Sequence, residues 1–316
     1  MRPFAFVFPG QGSQSVGMLD AWNDHPVVRE TLAEASDALG QDLGVLIREG
    51  SKETLALTTH TQPVMLVAGV AAFRVWMAET AALPVVVAGH SLGEYSALVA
   101  AGVLSLASAA PLVRFRAQAM QDAVPVGTGA MAAIMGMPAD KVIEGCAEAL
   151  RTFGGDALQV VEAVNFNDPL QTVIAGSKAA VDKACEVLKA NGAKRALTLS
   201  VSAPFHSSLM KSAAEKLRER LAAIEFAAPQ IPVINNIDVT VETSADGIRA
   251  ALYRQAFGPV RWVECVQAIK LRGVTTLVEA GPGRVLAGLV KRIDPELTGL
   301  PLFDPATLAD VQKAML

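Results

Sequence analysis

The sequence predicts an α/β protein: a large α/β-hydrolase-like domain on a parallel sheet, with a small inserted ferredoxin-like α+β domain. Three observations carry that prediction. Short β-rich runs alternate with longer helical patterns early in the chain, the order of a parallel sheet covered on both faces. The stretch "VVVAGHSLGEYSALVAAG", residues 85–102, is an apolar run that stops on Gly-x-Ser-x-Gly and then turns apolar again. A different rhythm follows Gly127-Thr128-Gly129, reading strand, helix, strand, strand, helix, strand.

In order, "FAFVFPG" reads as the first strand, and a helical region follows near residues 26–40. "QPVMLVAGVAAFRVWMA" reads as a helix, and "LPVVVAG" as a strand that leads into another helix. "AMAAIMGM", "DKVIEGCAEAL", "LQVVEAVNFN", "QTVIAGS", "KAAVDKACEVLKANG" and "AKRALTLSVS" make up the ferredoxin-like unit. The small domain is therefore expected at residues 129–199, with 1–128 and 200–316 forming the large catalytic domain. A helix near 207–222 precedes two further strand candidates, "IPVINNID" and "TTLVEAG".

With 316 residues, 52% of them hydrophobic, the chain can bury a large core. Lys and Arg total 27 against 31 Asp and Glu, a net charge of −4, which argues against nucleic-acid or anionic-membrane binding. Cys146, Cys185 and Cys265 are odd in number and widely spaced, which suits reduced thiols in a cytoplasm better than disulfides or a zinc site. The apolar stretch at the N-terminus is too short for a signal-peptide core. Charge-free stretches lie between Glu53 and Arg74 and between Glu94 and Arg114; Gly, Ser, Thr, Gln or Pro interrupt both, so they are expected as buried helices and not membrane spans.

Gly89-His90-Ser91-Leu92-Gly93 sits between β-branched Val85–Val87 and a helix-compatible run, the context that makes such a serine a nucleophile on a sharp turn. The alternative is a small residue in a Gly-rich loop. The N–H of Leu92 is the natural first oxyanion donor. A serine needs a base, and four histidines are available. His90 is expected to point away from Ser91 and pack, His25 to lie on the surface, and His60 to sit in a loop. His206, in "VSAPFHSSLM", is preferred by elimination and position. No triad acid can be nominated, because Asp156, Asp168 and Asp182 read as turn or helix-surface residues of the small domain. Gln11 lies on a Gly-rich loop after the first strand, where sites form in parallel sheets. On "SLASAAPLVRFRAQAM", Arg114 and Arg116 flank a stripe of Leu106, Ala110, Val113, Ala117 and Met120, and periodicity does not choose which arginine points inward.

"FVFPGQGSQ", "TQPVML", "GHSLGEYSAL", "GTGAMAAIMG", "NFNDPLQTVIAG", "APFHSSLM", "NNID", "RQAFGPVRW" and "EAGPGRVLAGL", in that order, resemble the malonyl-CoA:acyl carrier protein transacylases of type II fatty acid synthesis. They are also similar to the acyltransferase domains of polyketide synthases. The resemblance implies a ping-pong transfer of malonyl from malonyl-CoA to acyl carrier protein through an ester on Ser91, with His206 as base and no cofactor. It further implies Leu92 and Gln11 as oxyanion donors, a backbone carbonyl at Gln255 orienting His206, and Arg116 as the residue that binds the substrate carboxylate. Gln62 and Asn165 are expected to line the pocket, and Phe205 to leave little room for an α-methyl group. Lys194-Arg195 and Lys291-Arg292 are candidates for the carrier-protein surface or ordinary solvated charges, and a monomer is the expected state. A serine hydrolase and a catalytically silent docking module are the competing functions.

Overall fold

Along Phe4–Phe8 (β1) the side chains alternate between two cores. Phe4, Phe6 and Phe8 face one side, where Phe73 and Trp76 meet them edge to face at ring distances of 5.4–6.2 Å, while Ala5 and Val7 join Trp262, Val266 and Leu289 on the other. A strand covered on both faces is apolar throughout, and period-2 alternation divides its residues between the two layers. The computed structural model describes residues 2–22 and 25–315.

The remaining strands are Val86–Gly89 (β2), Gly129–Met135 (β3), Val161–Asp168 (β4), Gln171–Ser177 (β5), Arg195–Thr198 (β6), Val233–Ile234 (β7), Thr276–Ala280 (β8) and Thr298–Leu302 (β9). Four of them join β1 in a parallel sheet of order β7-β2-β1-β8-β9. Because β1 and β2 are neighbours, with Phe8 in register with Gly89, the loops that carry Gln11 and Ser91 leave the carboxyl edge side by side.

The other four strands make an antiparallel sheet in the order β4-β5-β3-β6, with helices Ala139–Arg151 and Lys178–Ala190 on one face. The opposite face presents Met131, Ala133, Val164 and Val173 to Leu199, Val201 and Phe205. This face forms a roof over the carboxyl edge of the parallel sheet. It is tied down at Val260, whose N–H donates to the Val164 carbonyl (2.8 Å) and whose carbonyl accepts from the Phe166 N–H (3.0 Å).

Several elements differ from expectation. The long helix spans Thr58–Thr80, so His60 lies in its first turn, with Nδ1 on the Thr54 carbonyl at 3.0 Å, and not in a loop. That helix is long and apolar enough to cross a membrane, yet its side chains are buried in the core from Thr61 to Phe73. His25 is half-buried beside Glu79 and not on the surface. Helices Ala245–Gln255, Trp262–Lys270, Val285–Ile293 and Pro305–Met315, together with β9, lay outside the sequence reading. β9 reads "TGLPL", and its glycine and proline mask a strand that only an edge position tolerates.

Candidate active site

The site is built where β2 turns into helix Gly93–Ala100. Ser91 is held at φ 53°, a left-handed conformation that ordinary side chains avoid. Both motif glycines are required by close approach: a Cβ on Gly89 would stand 1.9 Å from Gly93, and one on Gly93 would stand 2.0 Å from the Phe8 carbonyl oxygen. The turn lifts Ser91 Oγ above the sheet edge. Among the described residues, no internal acceptor takes the N–H of Leu92 or of Gln11.

His206 reaches Ser91 from the chain that returns from the small sheet, and its Nε2 lies 2.6 Å from Oγ. It too adopts a left-handed conformation, φ 67°. Nδ1 lies 2.9 Å from the Gln255 carbonyl; a carbonyl only accepts, so Nδ1 carries the proton and Nε2 is free to accept the serine hydroxyl. This replaces a triad acid. Asp156 caps the Leu158 N–H and Asp182 pairs with Lys178. Asp168, expected as a turn or helix-surface residue, ends β4 at the turn, where it accepts the Leu170 N–H at 2.8 Å, and is buried against Arg292 at 3.3 Å. Burial, with the nearby Arg116 charge, pushes the His206 imidazole down to about 3, so the ring is neutral at neutral pH.

Packing decides between the two arginines. Arg114 turns outward to Gln41 Oε1 at 2.6 Å, whereas Arg116 is 2% exposed and enters the site. Its partners among the described residues are all neutral: Gln62 Oε1 at 2.9 Å, Gln255 Oε1 at 3.1 Å and Ser91 Oγ at 3.3 Å. The guanidinium also stacks over the Tyr95 ring at 5.4 Å. A buried guanidinium held only by neutral groups retains an unmet preference for an anion.

Gln11, Gln62, Ser91, Leu92, Arg116, Asn165, Phe205 and His206 line one cavity of about 120 Å³. Gln255 lies behind its wall, joining Arg116, the Ser91 carbonyl (3.0 Å) and Glu94 (2.9 Å) through its amide. Gln11 Nε2 donates to Thr58 Oγ1 at 3.3 Å, so its side chain is turned to the long helix and its backbone is left to face the cavity. Asn165 Oδ1 is buried without a partner. His90 packs against Trp262 and donates to Asn167 Oδ1 at 2.8 Å, but it also lines the cavity, which the expectation of a purely packing residue missed. A longer cleft of about 430 Å³ adjoins the cavity under the small sheet and reaches Arg292. Lys194, Arg195 and Lys291 are exposed. Among the described residues, no three His, Cys, Asp or Glu side chains converge as a metal site.

Two residues beneath the serine escaped the sequence reading. Glu94 is 2% exposed and accepts from the Asn236 N–H and from Gln255 Nε2, each at 2.9 Å. Burial pushes its carboxyl up to about 7, against the pull of these donors and of Arg116. Its signal was in view, as the one charge at the head of an otherwise charge-free helix. Asn236 accepts from the Ser91 N–H at 2.7 Å; "NNID" is one of the stretches that carry the resemblance, but nothing in it assigned the residue a role.

A serine–histidine pair at the carboxyl edge of a parallel sheet, with a buried cation beside it under a roof of antiparallel strands, suits acyl transfer through a serine. The acyl transferase domain family matches residues 5–294. The malonyl CoA-acyl carrier protein transacylase of Escherichia coli (strain K12) is 53% identical over 310 residues, covering 98% of each chain. The acyl-carrier-protein S-malonyltransferase of Burkholderia pseudomallei 1710b superposes with a TM-score of 0.95 at 62% identity, covering 98% of this chain and 99% of that one. A malonyl-transacylase solved in complex with its type II polyketide synthase acyl-carrier protein superposes with a TM-score of 0.95 at 50% identity, covering 99% of both chains. The chain belongs to the malonyl-CoA:acyl carrier protein transacylase family.

Proposed function

We propose that the protein moves malonyl from malonyl-CoA to the phosphopantetheine thiol of an acyl carrier protein by a ping-pong route through a Ser91 ester. The observation that carries this reading is a single atom with two neighbours: Ser91 Oγ lies 2.6 Å from His206 Nε2 and 3.3 Å from Arg116 Nη2. One neighbour accepts a proton, and the other takes a carboxylate.

Ser91 Oγ attacks the thioester carbonyl while His206 Nε2 takes its proton. The oxyanion gathers the free N–H groups of Leu92 and Gln11; loss of one such donor typically costs about a hundred- to a thousandfold in rate. The C–S bond then breaks, His206 returns the proton to the coenzyme A thiolate, and the malonyl ester remains on Ser91. In the second half-reaction the carrier thiol gives its proton to His206 and attacks the ester, and Ser91 Oγ leaves with that proton. The acyl pocket opens into the longer cleft, which offers the pantetheine arm of either thiol a path.

Arg116 acts twice in this scheme. It grips the malonyl carboxylate, and the bound carboxylate neutralises the positive charge that, after burial, holds the His206 pKa down, strengthening the base. Acetyl groups supply neither contact nor neutralisation, so discrimination extends to kcat as well as KM. Phe205 and Leu92 line the pocket, and the bulk of Phe205 leaves little room for an α-methyl group.

The test is intact-mass detection of a malonyl adduct after mixing with malonyl-CoA, followed by chase with holo acyl carrier protein. The adduct forms on the native protein and not on Ser91→Ala, and the label moves to the carrier. Release of the label as free malonate at the same rate with and without carrier would show a hydrolase instead.

A further inference from the structure

A strand that turns abruptly into a helix leaves backbone groups that neither the ladder nor the helix can satisfy. Here the outer neighbour of β2 is β7, which pairs only at Val87 and Ala88 and ends before the turn. Beyond it a side chain replaces the missing ladder. Asn236 Oδ1 accepts the Ser91 N–H at 2.7 Å, and Asn236 Nδ2 donates to the Gly89 carbonyl at 2.7 Å. One amide therefore grips both sides of His90.

Asn236 is itself held from several directions. It is fully buried, its N–H donates to Glu94 Oε2 at 2.9 Å, and its carbonyl accepts from the Arg261 N–H at 3.2 Å. The turn that presents it is closed by the Asn235 N–H on the Thr240 carbonyl (3.0 Å) and the Asp238 N–H on Asn235 Oδ1 (2.8 Å). Within that turn Val239 sits at φ 61°, a conformation costly for a β-branched residue and sustained only where the surroundings over-determine it. The bond to Asn236 also occupies the Ser91 N–H. The oxyanion is thus left to Leu92 and Gln11.

We propose that Asn236 is a positioning residue for acyl transfer: its side-chain amide holds Ser91 in the left-handed conformation that sets Oγ against His206 and turns the Leu92 N–H toward the reacting carbonyl. The inference rests on the reading of Ser91 as the nucleophile. Asn236 does not line the acyl pocket, and the Arg116–Gln62 hydrogen bond does not pass through it.

The experiment compares Asn236→Ala, Asn236→Asp and Ser91→Ala by thermal melting, by single-turnover acylation with malonyl-CoA and by steady-state kcat and KM. Misplacement of a reacting group by about 1 Å costs up to about a hundredfold. Asn236→Ala is therefore expected to acylate about 10- to 100-fold more slowly, with KM for malonyl-CoA changed less than about threefold. Asn236→Asp keeps the acceptor for the Ser91 N–H and is expected to recover part of the rate; if Asn236→Ala does not fold, the slowed acylation and unchanged KM are sought in Asn236→Asp. A folded Asn236→Ala that acylates at the native rate, or one whose whole defect lies in KM, overturns the proposal. An adduct on Ser91→Ala overturns the nucleophile reading instead, so the two failures are distinguishable.

Discussion

At the scale of single residues, the site depends on how burial handles three charges. Arg116 is buried with neutral partners, Glu94 is buried with its carboxyl pushed up, and His206 is kept neutral by burial and the Arg116 charge. A charge-assisted bond from Arg116 to a carboxylate is worth about 1.5–3 kcal/mol, so Arg116→Ala should narrow the preference for malonyl over acetyl by about ten- to a hundredfold. Competition between the two coenzyme A esters measures this, and an unchanged ratio would remove Arg116 from its role. A base with its pKa pushed down stays unprotonated through the mildly acidic range. For native protein the acid limb of kcat/KM that belongs to His206 should therefore lie below about pH 5 and not near 6.5, the ordinary histidine value. Arg116→Ala removes one of the two main causes of that shift, so its acid limb should move to higher pH.

At the scale of elements, the elbow works because three backbones pass closer than a methyl group allows. Gly93 lies against the Phe8 carbonyl, so Gly93→Ala must push β1 away from the start of the helix. The expected loss is about 2–4 kcal/mol of stability, read as the urea midpoint, with acylation lost in whatever protein remains folded. Gly12, by contrast, meets nothing within 4 Å of a built Cβ, although its φ of 112° is itself a glycine conformation. The elements that carry Ser91, Gln11 and Arg116 were legible because each has strong periodicity or a dense motif. β7 was foreseen as a strand, but it is only two residues long, and its importance lies in where it stops. Local pattern carries no information about that end point, because the groups that Asn236 satisfies belong to a segment 145 residues away.

At the scale of the whole molecule, the small sheet closes the site from above, and buried acids and bases set the response to pH. Glu279, on β8, is fully buried, with one oxygen on the Ala287 N–H at 2.8 Å and the other unpartnered, and burial pushes it up to about 7 from an ordinary 4.5. A raised acid makes the folded state bind more protons than the unfolded chain between those two values, so its contribution to stability falls as pH rises through that window. Glu94 acts in the same direction, whereas His206, lowered to about 3, costs stability as pH falls below 6.5. Glu279→Gln keeps the shape and removes the titration. Relative to this variant, the native protein should lose about 2–3 kcal/mol between about pH 4.5 and about pH 7, measured by urea unfolding at each pH. A difference that stays constant across the window would refute that assignment.

By itself the sequence determined the α/β class, the strand–turn–helix that carries Ser91 and His206 as the favoured base, and it offered no triad acid to nominate, because hydrophobic period and turn chemistry are local properties. Resemblance to a family added Arg116, Gln255 and the acyl group. The tertiary structure alone showed how Arg114 and Arg116 part, one to Gln41 and one into the cavity, and that Glu94 and Asn236 lie hydrogen-bonded beneath the turn that carries Ser91. These are contacts between segments far apart in the chain, and they exist only once the parallel sheet has brought the ends of its strands to one edge.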